Sequence, residues 1–119
     1  KEMRLLAIAS RISARSNHSH YKLGCVIAKG GRVIGYGWNS TQTHPRSPSH
    51  HKTVHAEFMA ILNLTEACRG ATAYVSRYTK GGAWALARPC PGCYGMFARH
   101  GIKRIVYSVT SGFHKEAML

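Results

Sequence analysis

Four side chains carry enough chemistry to organise the rest of this sequence around them: His55, Glu57, Cys90 and Cys93. One imidazole and two thiolates are three of the four ligands of a tetrahedral zinc ion, and a catalytic zinc keeps its fourth position for water. Glu57, two residues past the histidine, is placed to move that water's proton and not to bind the metal. Cys90 and Cys93 are spaced i and i+3, so they share one face of a first helical turn. The positive end of that helix favours thiolate over thiol. Pro89 and Pro91 stiffen the approach to the helix, as proline suits the helix start. Zinc held by two thiolates and a neutral imidazole carries no net charge and lowers the pKa of a water toward neutrality.

The elements that must position these residues can be read from the periodicity. Residues 3–15 place Leu5, Ile8, Ala9 and Ile12 at helical spacing, with Arg4, Arg11 and Arg15 elsewhere on the cylinder, which predicts an amphipathic first helix. The apolar runs 23–28 and 33–38 flank Lys29-Gly30-Gly31-Arg32 and predict a hairpin. Residues 39–53, rich in Ser, Thr, Pro and His, read as a long ordered loop, a length that in compact domains is usually functional. His55 to Cys68 is apolar on nearly all sides and reads as a buried helix. Residues 71–76 predict a strand, 78–87 a second loop, 90–100 a helix stopped by Gly101, and 104–109 a further strand. A strand–helix–strand crossover implies parallel strands. The expected fold is therefore α/β, a three-layer sandwich with a central mixed sheet (hairpin plus parallel strands) and helices on both faces, in one domain over 1–119.

His-x-Glu followed by Pro-Cys-x-x-Cys is the pattern of zinc nucleobase deaminases, and His55-Ala56-Glu57 ahead of Pro89-Cys90-Pro91-Gly92-Cys93 resembles the cytidine and deoxycytidylate deaminase superfamily. The likeness runs from about Leu23 to Val109. Arg32 to Asn39, His55 to Ile61 and Ala71 to Val75 look much like bacterial tRNA adenosine deaminases, in which the asparagine matching Asn39 contacts the nucleoside. Residues 22–27 and 101–107 look equally like deoxycytidylate deaminases. His44-Pro45 and Arg88-Pro89-Cys90 resemble small CMP/dCMP-type enzymes of phages and bacteria. Many relatives carry Thr-Leu-Glu before Pro-Cys, whereas here the sequence is Leu86-Ala87-Arg88, a charge reversal beside the metal ligands.

The resemblance implies a cytidine-deaminase-like fold and hydrolytic deamination with Zn2+ as the cofactor. His55, Cys90 and Cys93 would hold the metal and Glu57 would carry protons, while Asn39, His44, Ala56, Arg88 and Trp84 would meet the substrate. It gives cytosine-to-uracil conversion in a phosphorylated substrate, either a dCMP/CMP-type nucleotide or cytosine in single-stranded nucleic acid. The alternative within the family is a tRNA-type adenosine deaminase. Relatives commonly assemble, so a homo-oligomer is also compatible with the resemblance.

Charge is the next constraint. Seventeen Lys and Arg face four acids, a net +13, and aspartate is absent. Such a field attracts phosphate-bearing partners, and the lack of Asp argues against magnesium clusters built on several carboxylates. No run approaches the ~20 apolar residues a membrane span needs, and the opening Lys1-Glu2-Met3-Arg4 does not read as a signal peptide. The cysteines therefore read as thiols of a cytoplasmic protein. Two readings from other classes stand beside the enzyme. One is a basic nucleic-acid-binding module with a closed structural zinc completed by His44 or His100, and the other a redox Cys-x-x-Cys, which leaves His55 and Glu57 unexplained. Further expectations are a second zinc on His44, His50 and His51, base stacking by Trp38 or Trp84, buried inert thiols at Cys25 and Cys68, and close backbone approach, to a bound nucleoside, at Gly24, Gly35 and Gly37.

Overall fold

A computed structural model describes residues 2–15, 22–39, 60, 68–78, 84–87, 91–110 and 112–117. Helix α1 (Glu2–Ser13) is followed by strands β1 (Lys22–Lys29) and β2 (Arg32–Trp38). Next come β3 (Thr72–Tyr78), β4 (Trp84–Ala85), helix α2 (Pro91–Arg99), β5 (Arg104–Val109) and β6 (Gly112–Ala117). The strands form one sheet in the order β2-β1-β3-β5-β6, with β4 on the end of β3.

Gly30 and Gly31 close the hairpin with φ of 62° and 81°, the left-handed pair that a two-residue turn between twisted strands requires. A bulge between Ile27 and Ala28 shifts the β1–β2 register. β3 and β5 run parallel, Ala73 beside Ile105 and Val75 beside Tyr107, joined through α2 as the crossover reading expected.

Alternate residues of the central strands are apolar on both faces. Val26, Ala28, Tyr74 and Val106 pack under α1 with Leu5, Leu6 and Ala9. Cys25, Ile27, Ala73, Val75, Ile105 and Tyr107 face the other way, against Cys93, Met96 and Phe97 of α2. A sheet apolar on both faces must be covered on both, and the three-layer expectation holds. Gly24 lets α1 sit directly on β1: a Cβ there would overlap the Ala9 carbonyl and stand 2.7 Å from the Ser13 nitrogen. The expected close approach at Gly24 is therefore made by a helix and not by a nucleoside. Ser10 of α1 and Ser76 of β3 meet at 2.6 Å between hydroxyl oxygens.

Gly101 ends α2 as expected, at φ 79°. The Gly101 N–H donates to the Ala98 carbonyl (3.2 Å) and Ile102 N–H to that of Phe97 (3.1 Å). These are the paired bonds of a Schellman cap, with its apolar contact supplied by buried Phe97 and Ile102. Cys25 and Cys68 are buried thiols, also as expected.

Two elements depart from the sequence reading. Part of the expected 78–87 loop is strand: Tyr78 extends β3, and Trp84 and Ala85 pair with Tyr78 and Arg77. β6 was not foreseen; it pairs antiparallel with β5 across a tight turn, Val109 opposite Gly112. Its sequence is largely polar and half exposed, as suits a strand at a sheet edge. No helix among the described residues is long and apolar enough to cross a membrane.

Candidate active site

The sheet brings its chemistry to one end. β1 is antiparallel to both β2 and β3, so β2, β3 and β5 all end on the same edge. A right-handed crossover places the start of α2 at that edge, which is where open α/β sheets bind ligands. Pro91 is the first residue of α2 and Cys93 the third, so Cys93 lies in the first turn, against the carboxyl ends of β3 and β5.

Cys93 is buried, and its thiol is not in a disulfide. Burial in apolar surroundings alone would hold the thiol protonated, whereas the helix N-terminus favours the thiolate. A buried thiol at a helix start thus fits a metal-binding thiolate. The other described cysteines do not share this setting. Cys25 lies within β1, and the Cys68 thiol donates to the His100 carbonyl oxygen at 3.4 Å.

Asn39 follows the last residue of β2 at the same edge and is buried. Its backbone N–H donates to the Leu23 carbonyl (3.2 Å), and its side-chain oxygen accepts from the Leu23 N–H (2.9 Å). Leu23 pairs with Arg77 on its other side. Arg77 N–H in turn donates to the Ser108 hydroxyl at 3.0 Å, and the Ser108 carbonyl accepts from Ala87 N–H at 3.0 Å. One row of bonds therefore ties Asn39, β1, β3, β5 and the segment leading to Arg88 and Cys90. Trp84, in β4 beside Tyr78, belongs to the same edge.

Asn39, Trp84 and Cys93 are thus brought together at one end of the sheet. His44, His55, Ala56, Glu57, Arg88 and Cys90, and with them His50 and His51, lie outside the described residues. Two expectations change. Trp38 pairs with Gly24 and Tyr36 with Val26, which puts both rings on the α1 face, away from Cys93. Trp38 therefore does not stack on a base beside Cys93. His100 follows the far end of α2, seven residues and about 10.5 Å along the helix from Cys93, with Nδ1 2.9 Å from the Met96 carbonyl oxygen. It cannot share a metal with Cys93, so a closed site completed by His100 is excluded.

Residues 1–109 match the cytidine and deoxycytidylate deaminase zinc-binding region. The chain belongs to this family. It is a hydrolytic deaminase, and the matched span contains both His55-Ala56-Glu57 and Pro89-Cys90-Pro91-Gly92-Cys93. The deaminase is 32% identical over 124 residues to the deoxycytidylate deaminase of Mycobacterium phage D29, covering 86% of this chain and 89% of that protein. It is also 32% identical over 112 residues to the riboflavin biosynthesis protein RibD of Escherichia coli strain K12, across 89% of this chain but only 25% of RibD. The dCMP deaminase of cyanophage S-TIM5 has the same fold. Its apo form gives a TM-score of 0.69 at 23% identity over 91% of this chain and 82% of that one. Its complex with dCMP and dUMP gives 0.63 at 22%, over 86% and 76%.

Proposed function

We propose that this deaminase is zinc-dependent and converts cytosine to uracil in a phosphorylated substrate, a dCMP/CMP-type nucleotide. The observation that carries the reading is the placing of Cys93, in the first turn of α2, at the sheet end that also holds Asn39. The phage deoxycytidylate deaminase, similar along nearly its whole length, supports the choice of nucleotide, as does a charge of +13.

His55, Cys90 and Cys93 would hold Zn2+, and the ion when bound supplies the Lewis acidity that makes water a nucleophile at neutral pH. Glu57 accepts a proton from the water that attacks C4. It delivers that proton to the adjacent ring nitrogen, then takes the proton of the hydroxyl now on C4 and passes it to the amine, so that the C4–N bond breaks, ammonia leaves and a carbonyl remains. Asn39, fixed by its two bonds to Leu23, orients the nucleoside. Arg88 meets the phosphate, while His44, Ala56 and Trp84 border the base and sugar. The test is incubation with dCMP, CMP, a cytosine-containing single strand and tRNA, scoring ammonia and the altered base. Rapid release from dCMP or CMP is expected. Adenosine-to-inosine change in tRNA, with both nucleotides untouched, would overturn the assignment.

A further inference from the structure

The face of the sheet away from Cys93 carries a second concentration of charge and aromatic surface that deamination does not use. Tyr36 and Trp38 lie on this face of β2, an edge strand. Their ring centroids are 6.3 Å apart and their planes 25° from parallel, and Tyr36 is 48% exposed. The Arg15 guanidinium stands over both rings, 5.5 Å from the Tyr36 centroid and 5.3 Å from that of Trp38.

Residues 4, 8, 11 and 15 fall on one stripe of a helix. Arg4, at the start of this stripe, donates to the Gly31 carbonyl of the hairpin at 3.1 Å, and Arg15, just past the helix end, reaches over one side of the β2 rings while Tyr36 stays exposed. The border between α1 and β2 is therefore lined by three exposed arginines: Arg4, Arg11 and Arg15. By helix rise, Arg11 is about 10.5 Å from Arg4, and Arg15 follows in the turn that closes α1. The single acid among the described side chains, Glu116, is on β6 at the opposite sheet edge.

We propose that this stripe, with Tyr36 and Trp38 as its aromatic floor and Arg15, Arg11 and Arg4 along its side, binds single-stranded nucleic acid. Rings that take a base face and a row of cations that follows the backbone are the two components such surfaces combine. Cation–π contact holds Arg15 in place with its charge retained, where it can meet a phosphate beside a base on Tyr36. A folded acidic protein partner would satisfy the arginines but would leave the exposed ring without a planar group to stack on. The surface lies on the opposite face of the sheet from Cys93, so a strand bound here need not contain the reactive base.

The probe is a fluorescein-labelled oligothymidylate of about twelve nucleotides, which has no base amine to lose, followed by anisotropy between about 50 and 200 mM salt. Three phosphate contacts give a slope of log K against log salt of about −2, at ~0.7 per phosphate on a single strand. Tyr36→Ala should weaken binding about 5-fold to 150-fold, the range for losing one stacked base, whereas Tyr36→Phe keeps the ring and the affinity. Arg15→Ala or Arg11→Ala should flatten the slope by about 0.7. Lys103→Ala, an exposed cation away from the stripe, should change little. Thermal midpoints matching the parent show that the variants fold. No binding at 50 mM salt would overturn the proposal. So would equal losses on Tyr36→Ala and Lys103→Ala, or a dimer that Tyr36→Ala dissociates while no strand binds. None of these results depends on which nucleotide is deaminated.

Discussion

The two faces of the sheet are each covered by one described helix, and the helices meet the sheet in different ways. α1 lies flat on its strands, close enough that Gly24 has no room for a Cβ, and presents apolar side chains along its length. α2 also packs its flank, through Met96 and Phe97, but it brings its first turn to the strand ends with a thiol in it. A helix flank offers only side chains, whereas a helix start adds unpaired N–H groups and a positive field. Chemistry therefore gathers where a helix begins at the carboxyl edge of the sheet, and the face sealed by a flank is left for stability and for outside contacts.

The sharpest way to break this comparison is to remove the thiol. Cys93→Ala should lose the zinc, expected at about one ion per chain, and all measurable ammonia release. It should also lose stability, because the energy of metal binding is partly folding energy. Elemental analysis beside the ammonia assay checks this. A protein that deaminates at full rate after exhaustive chelation would show that the α2 start holds no working metal.

Next in size is Glu57→Gln. Turnover should fall by about 10²–10⁴, the usual cost of a lost acid–base group, with zinc content and thermal midpoint unchanged. If zinc leaves instead while turnover per bound metal stays constant, Glu57 is a ligand and its assignment as proton carrier is wrong.

How much of this could be read from the sequence depends on what each residue answers to. Cys93 stands out by type and by its spacing from Cys90, with His55 and Glu57 upstream, because a zinc site would ask for two thiolates, an imidazole and a separate proton carrier whatever the fold; of the four, Cys93 alone lies among the described residues. β5 and the Gly101 stop were legible because apolar alternation and a helix-ending glycine are local signals. Gly24 announced a close approach but not what approaches, since only the tertiary packing of α1 decides that. Trp38 depended on register, where a shift of one residue changes the face. β4 is two residues long and exists only because β3 offers it a partner. β6 carries almost no apolar pattern, because an edge strand with one half-buried ring, Phe113 against the α1-side core, needs little.

On the face sealed by α1, Gly24→Ala should cost stability and leave chemistry alone. The new methyl meets backbone atoms of Ala9 and Ser13, which cannot swing aside as a side chain can. Overpacking of this kind costs ~1–3 kcal/mol, and the upper end is expected here. Chemical denaturation gives the stability change, and turnover per folded chain well below the transition should match the parent. An unchanged midpoint with lowered turnover would mean that α1 positions the site, and the separation of the two faces would fail.

The smallest expected effect compares the two ends of α2. Gly101→Ala places a Cβ at φ 79°, where it would also come within 2.8 Å of Arg69 Cγ. The Arg69 Cα and Cβ also lie at 3.2 and 3.3 Å, so crowding against that backbone adds to the strain of a non-glycine residue in the left-handed region, itself about 1–2 kcal/mol. For a domain of this size that lowers the melting midpoint by roughly 3–8 °C. The cap lies about two helical turns from Cys93, so zinc content and turnover per folded chain should hold. Asn at 101 tolerates the left-handed conformation better than Ala and should recover part of the loss. If Gly101→Ala instead releases zinc at an unchanged midpoint, the cap at the end of α2 governs the thiol at its start, and the helix works as one rigid lever between them.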